Sequence, residues 1–361
     1  MAMNPPTISS VADLAGVSIA TVSRCLNDPE RVRAGTRDRV MKAIKKLDYS
    51  PNTLAQSFRR GRTNVVMVVM PTVGCPFLSE VLVGVRDGIG DKFSIVIAEA
   101  DLKHRSYEEV GAMLVSRQVD GLILLATLLP FGTRLEDIGR DRRLPIVLGC
   151  ESISHELEGL PSVHIDNYLA AFEATRHLID LGHQRIGFIS GPRDSLLTQD
   201  RERGFRAAMN SAELEVQERF VRSAEVTTDG GAAGASALLR LKERPTAVFC
   251  SSDEMALGAL HILQRAGLRV PEDISVMGFD DTRYAAIASP PLSTVAQPAH
   301  DIGRRVAERM IRAIDGGEDK ESLVDILRHK LVIRQSTGPC LERRSSSTSV
   351  GDAERVSVAM R

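Results

Sequence analysis

From Val65 onward the chain alternates short apolar runs with amphipathic stretches, and this rhythm restricts the architectures open to it. VVMVVM (65–70), FSIVIAEA (93–100), GLILLA (121–126) and PIVLG (145–149) come first, and the pattern resumes with SVHI, RIGFIS, TAVFC and ISVMGF. Runs this short and continuous suit strands buried on both faces of a parallel sheet, and text such as AAFEATRHLIDLGH or EMALGALHILQRAG supplies the helical crossovers. About ten such strands are more than one compact sheet holds, so two similar α/β lobes are expected, with ligand in the cleft at the carboxyl ends of the strands.

The residues before Val65 read differently. Ser9 or Ser10 is placed to cap a short helix ending at Ala15, Gly16-Val17 to make a turn, and Ser18 to cap a second helix reaching about Asn27. Asp28-Pro29 breaks the pattern, Thr36 is placed to cap a third helix, and Val40, Ile44 and Leu47 recur on it at i, i+4 and i+7. Three helices around one small core result. Tyr49-Ser50-Pro51-Asn52 ends them, and TLAQSFRRGR reads as a brief helix trailing into a basic linker. On the second helix Val22 and Leu26 can face the core, which leaves Ala20, Ser23, Arg24 and Asn27 on another face; periodicity alone leaves Ile19 free to join either.

Charge separates the same two regions. The formal net charge is only -1, yet residues 1–62 carry 11 Lys or Arg against 5 Asp or Glu, so the remainder is acidic. A basic head suits a polyanionic partner that an acidic body repels. The five cysteines, Cys25, Cys75, Cys150, Cys250 and Cys340, form no C-x-x-C pair, which argues against a zinc ribbon or disulfide framework and fits a reducing compartment. Neither a signal-like start nor an apolar run of about 18 residues occurs, so a cytoplasmic protein with no membrane partner is expected. No G-x-S-x-G, H-E-x-x-H or G-K-[ST] phosphate-loop ending is present, and Asp280-Asp281 at a strand end has no complementary base, so no catalytic residue, metal site or cofactor is expected. DGGAAGASALL (229–239) reads as the small-residue start of a helix.

VADLAGVSIATVSRCLND, continuing through RVRAGTRDRVMKAIKKLDYSPNTLAQSFRRG, resembles the helix-turn-helix and hinge of the LacI/GalR family of bacterial transcriptional regulators. The resemblance implies a helix set into a major groove, with Ile19 and Ala20 at base-reading positions and Arg24 able to bond guanine bidentately. Ser18, Thr21, Ser23 and Asn27 would hold phosphates or base edges. It implies further that NTLAQSFRR folds as a hinge helix in the minor groove, with Asn52, Ala55 and Gln56 matching the family and Phe58, where Leu is usual, wedging the central base step.

PFLSEVLVGV, DGLILLA, VHIDN, LGHQRIGFISGP, RERGF, PTAVFCSSDEMALGAL, PEDISVMGFDD and PPLSTVAQP extend the resemblance across the body, most closely to the purine and cytidine repressor branches. The implied fold is an all-α helix-turn-helix headpiece followed by a two-lobed α/β domain like periplasmic binding proteins. The implied organisation is a headpiece over 1–50, hinge helix and linker over 51–63, effector-binding and dimerisation domain over 64–336, and flexible tail over 337–361. Residues carried to the effector cleft are Phe77, Glu151, Asp166, Arg201, Ser252 and Asp280, a set suited to a hydroxyl-rich small molecule, with a nucleoside ahead of a sugar. The position that supplies an aromatic platform for a nucleobase is Val226 here, and Phe131 is the substitute face. The expected protein is a repressor, released by an inducer, that binds pseudo-palindromic double-stranded operator DNA as a homodimer and is nucleoid-associated when bound.

Overall fold

The computed structural model describes residues 6–49, 62–99, 113, 118–125, 144–150, 159–193, 195–317 and 322–340, with the Asn27 side chain excepted. The chain divides into two compact units, Met1–Asn64 and Val65–Arg361.

In the first unit α1 spans Ile8–Ala15, α2 Ile19–Asn27 and α3 Ala34–Leu47. The cap of α1 is Thr7, not Ser9 or Ser10: Thr7 accepts from Ser10 N, and Ser10 answers with its own hydroxyl to the Thr7 backbone. This reciprocal box satisfies two otherwise orphaned N–H groups, so the helix begins one turn earlier than a lone serine cap would place it. Thr36 likewise sits inside α3, whose first turn starts after Arg33 without a side-chain cap. Gly16 ends α1 at φ 63°, a left-handed conformation that glycine adopts at little cost. Val11, Ala12, Ala15, Val22, Cys25, Val40 and Ala43 form the buried centre, with Leu26, Ile44 and Leu47 packed at its edge.

The second unit holds two six-stranded sheets among the described residues. The first sheet contains β1 (Val65–Met70), β2 (Ser94–Glu99), β3 (Gly121–Leu124), β4 (Ile146–Gly149), β5 (Ser162–Ile165) and β11 (Val324–Leu327), in the order β11-β5-β4-β3-β1-β2. All its pairings are parallel. The second contains β6 (Ile186–Ser190), β7 (Val221–Ser223), β8 (Ala247–Cys250), β9 (Ser275–Asp280), β10 (Ser293–Ala296) and β12 (Lys330–Val332), in the order β12-β10-β9-β8-β6-β7, parallel except where β12 meets β10. The apolar runs are buried as their composition requires: Val66 to Met70, and all of β6 and β8.

Helices α4 (Pro76–Ile89) and α9 (Ala299–Ile314) pack together on the first lobe, while α5 (Asn167–Asp180), α6 (Leu196–Ser211), α7 (Thr228–Leu239) and α8 (Asp253–Arg265) cover the second. The chain therefore passes between lobes three times: from β5 into α5, from β10 into α9, and from β11 into β12. Residues 337–340, assigned to a tail by their Ser-rich sequel, are instead held on the second lobe: Thr337 Oγ1 meets His177 Nε2 at 3.2 Å, and Cys340 N donates to Leu181 O at 2.9 Å. Buried His183 bonds the Gly338 carbonyl at 3.0 Å.

The small residues of 229–239 do lie in a helix, α7, capped by Thr227. They let α7 and α8 touch backbone to backbone, since a Cβ on Gly231 would strike Met255 O and one on Gly258 would strike Thr228 O. Gly258→Ala is expected to destabilise the protein by about 1–3 kcal/mol through overpacking. Gly35→Ala in α3, where nothing lies within 4 Å of the added Cβ, is expected to be neutral or slightly stabilising. Chemical denaturation of the two variants beside the unaltered protein checks the contrast.

Candidate functional site

Helix α2 presents a small, polar, accessible face. Ser18 caps it, accepting from Thr21 N at 3.2 Å while its hydroxyl meets Thr21 Oγ1 at 2.9 Å. Val22 and Cys25 point into the core, and with them buried the opposite surface is fixed: Ser18, Ile19, Ala20 and Arg24 are exposed, and Thr21 and Ser23 half-buried. Ile19, which periodicity left open, stands outside the core with 45% of its surface exposed. An isoleucine held in water beside Ala20 has no packing role in this unit, which makes it available for an apolar contact with a partner. Asn27 ends α2, and its side chain lies outside the described residues, as do Asn52, Ala55, Gln56 and Phe58.

In the second unit the carboxyl ends of β8 and β9 carry a buried polar cluster centred on Arg201 from α6. Its Nε donates to Asn167 Oδ1 at 2.9 Å and its Nη1 to Ser251 O at 2.5 Å. The guanidinium lies 3.7 Å over the Phe279 ring, and its Nη2 is 3.9 Å from Asp280 Oδ1. Gln297 Nε2 donates to that same Asp280 oxygen at 2.7 Å. Asp280 and Asp281 have φ of 115° and 55°, a turn held from below by Asp253, which accepts from Thr282 N, Thr282 Oγ1 and Thr294 Oγ1 at 2.7, 3.1 and 2.6 Å. A side chain on Gly278 would collide with that Asp253 carboxyl.

Of the residues carried to the cleft from the sequence, Arg201 and Asp280 meet directly. Asp166 caps α5, accepting from Leu169 N at 2.8 Å, and stands one residue before the Asn167 that binds Arg201. Buried Ser252 caps α8, accepting from Met255 N at 3.2 Å. Phe77 is buried in the first turn of α4. Burial pushes the thiol of neighbouring Cys75 up to about 11, and the negative charges of Asp280 and Glu254 add to the effect. Phe131 and Glu151 lie outside the described residues. Val226 is 41% exposed and lies against Gly191 at the end of β6. Sequence reasoning passed over Asn167, Ser251, Asp253, Phe279 and Gln297, although each adjoins a segment already singled out: VHIDN, SSDEM, MGFDD and TVAQP.

Desolvation dominates the electrostatics. It pushes Asp253 and Asp280 well above the usual carboxylate range; the three hydrogen bonds partly offset this at Asp253, and the Arg201 charge does so at Asp280. A carboxyl with a raised folded-state pKa binds its proton more tightly when folded, so its stabilising contribution is present at low pH. It is lost as pH rises toward about 7, the value to which Asp280 is pushed. Asp280→Asn, which cannot ionise, is therefore expected to lack this pH-dependent loss, so that its stability relative to the unaltered protein improves as pH rises from 5 to about 7.5, whatever the offset from the altered Arg201 contact. Thermal unfolding of both across that range checks the sign.

The geometry agrees with known proteins. Residues 7–52 match the bacterial regulatory proteins of the lacI family, and residues 175–337 match the periplasmic binding protein-like domain. The chain is 37% identical over 335 residues to the HTH-type transcriptional repressor CytR of Escherichia coli, covering 92% of this chain and 96% of that protein. The solved complex of transcriptional regulator CelR with cellobiose is 34% identical, with a TM-score of 0.70 over 92% of this chain and 99% of that one. The lac repressor dimer bound to operator and the anti-inducer ONPF is 26% identical, with a TM-score of 0.80 over 93% and 100% of the respective chains. These relatives are transcriptional regulators or repressors. With a helix-turn-helix unit, a two-lobed α/β unit and this level of identity along nearly its whole length, the chain belongs to the LacI family of bacterial regulatory proteins.

Proposed function

We propose that this protein is a sequence-specific repressor that binds a pseudo-palindromic operator as a homodimer and whose operator affinity is set by a small, hydroxyl-rich effector in the cleft. The observation that carries this reading is the coexistence, in one chain, of an accessible Ile19-Ala20-Arg24 face and a buried Arg201–Asp280 pair at the carboxyl ends of two parallel strands. Arg24 bonds a guanine edge, Ile19 and Ala20 make apolar base contacts, and Ser18, Thr21, Ser23 and Asn27 fix the helix against the groove. Asn52, Ala55, Gln56 and Phe58 complete the minor-groove contact, with Phe58 as the wedge.

In the cleft, Asp280 accepts from effector hydroxyls and Arg201, paired with it, fixes its carboxylate toward the effector, with Asp166, Ser252, Phe77, Glu151 and Phe131 around them. An effector that favours one relative placement of the lobes biases the three crossings, and through them the hinge segments of the dimer. Coupling is the difference in effector affinity between the two states, and its expected sign is induction. The chain works without a catalytic step, metal or cofactor, and in the cytoplasm.

The effector is a nucleoside by resemblance to the cytidine and purine branches. A sugar is the second reading, favoured by Val226: an exposed aliphatic side chain there supplies no ring for a base to stack on.

Arg24→Ala is expected to cost about 1–3 kcal/mol of operator affinity and far less on scrambled duplex at the same salt. Fluorescence anisotropy on the two DNAs decides it, and equal losses on both would remove Arg24 from sequence reading.

A further inference from the structure

We propose that the cleft takes an uncharged, hydroxyl-bearing effector and turns away phosphorylated ones, and that Glu254 is the residue that sets this choice; the proposal rests on the effector reading above. Glu254 is the second residue of α8, which follows the carboxyl end of β8, the parallel neighbour of the strand that ends at Asp280. It is half-buried and makes no hydrogen bond or ion pair among the described residues. It lies one residue from Asp253, which holds the Asp280 turn, and three from Ser251, whose carbonyl Arg201 engages. Burial alone pushes its carboxyl up. A carboxylate kept half-dry without a partner in a binding cleft is an acceptor waiting for a donor.

The positive charge nearby is already committed. Arg201 is engaged by Asn167, the Ser251 carbonyl, the Phe279 ring and Asp280. Arg334 pairs with Asp281 at 2.7 Å. A phosphate dianion entering here would meet the carboxyls of Glu254, Asp280 and Asp253, and Arg201 and Arg334, the cations of this cluster among the described residues, are both engaged.

An independent observation points to the same ligand chemistry. Asn167 is 2% exposed, and its Nδ2 has no partner among the described residues while its Oδ1 is held by Arg201. The cluster thus offers one unmet donor and one unmet acceptor. A neutral hydroxyl can accept from the first and donate to the second, whereas a phosphate is an acceptor only.

The test uses the full chain and matched pairs: ribose with ribose 5-phosphate, glucose with glucose 6-phosphate, and cytidine with cytidine 5′-monophosphate, each followed by calorimetry and thermal unfolding. The neutral member of at least one pair is expected to bind, and its phosphate at least about tenfold more weakly. Glu254→Gln is expected to shrink that ratio by about tenfold, and Glu243→Gln, which removes an exposed charge paired with Arg219, to leave it unchanged. Because the readout is a ratio within one variant, partial loss of stability does not imitate it. Tighter binding of a phosphorylated member, a ratio that Glu254→Gln does not move, or binding by neither member of any pair overturns the proposal. Operator binding by the same preparations separates these outcomes from failure of the regulator reading, which would abolish it.

Discussion

One buried cation organises the polar cluster at the carboxyl ends of β8 and β9. The Arg201 side chain, 5% exposed overall, is taken out of water at a cost that only close partners offset. Those partners come from separate places in the chain: Asn167 at the first crossing between lobes, Ser251 at the β8–α8 junction, and Phe279 and Asp280 at the end of β9. Removing one member would leave the others as uncompensated buried polar groups, typically a loss of about 3–5 kcal/mol for a broken buried pair. Local demands of the chain reinforce the arrangement, since Asp253 holds the turn in which Asp280 and Asp281 adopt positive φ.

The scaffold around that cluster is rigid within lobes and narrow between them. Glycines allow paired helices to touch through their backbones on both lobes: Gly84 and Gly303 between α4 and α9, Gly204 between α5 and α6, and Gly231 and Gly258 between α7 and α8. Such contacts leave little room for gradual deformation within a lobe. Motion is directed to the three crossings instead, and the first of these contains Asp166 and Asn167, which lie beside the Arg201 cluster. Under the proposed function, a ligand in the cleft acts at one of these crossings.

The sequence was most legible where one physical effect dominates. Continuous apolar runs marked the buried parallel strands, and Val22 marked the inward face of α2. The short strands β7, β10, β11 and β12 escaped because three or four residues of mixed polarity carry little periodic signal. Helix starts were misread by a few residues wherever several hydroxyls competed for one cap, as at Thr7 against Ser9 and Ser10. Arg201 and Asp280 were legible through family resemblance, but Asn167 and Gln297 were not, because their roles arise from folding that brings residues 34 and 17 positions apart into contact. Thr337 to Cys340 were assigned to the tail by composition, which cannot register backbone bonds to distant elements.

The central claim is that effector and operator are linked through one conformational equilibrium, and linkage is reciprocal. The most direct measurement is the affinity of full-length protein for whichever neutral sugar or nucleoside stabilises it, determined with and without saturating operator DNA. The expected result is a change of about tenfold, equal to the factor by which that effector alters operator affinity. An effector affinity indifferent to operator would contradict the coupling and leave two independent binding sites on one chain.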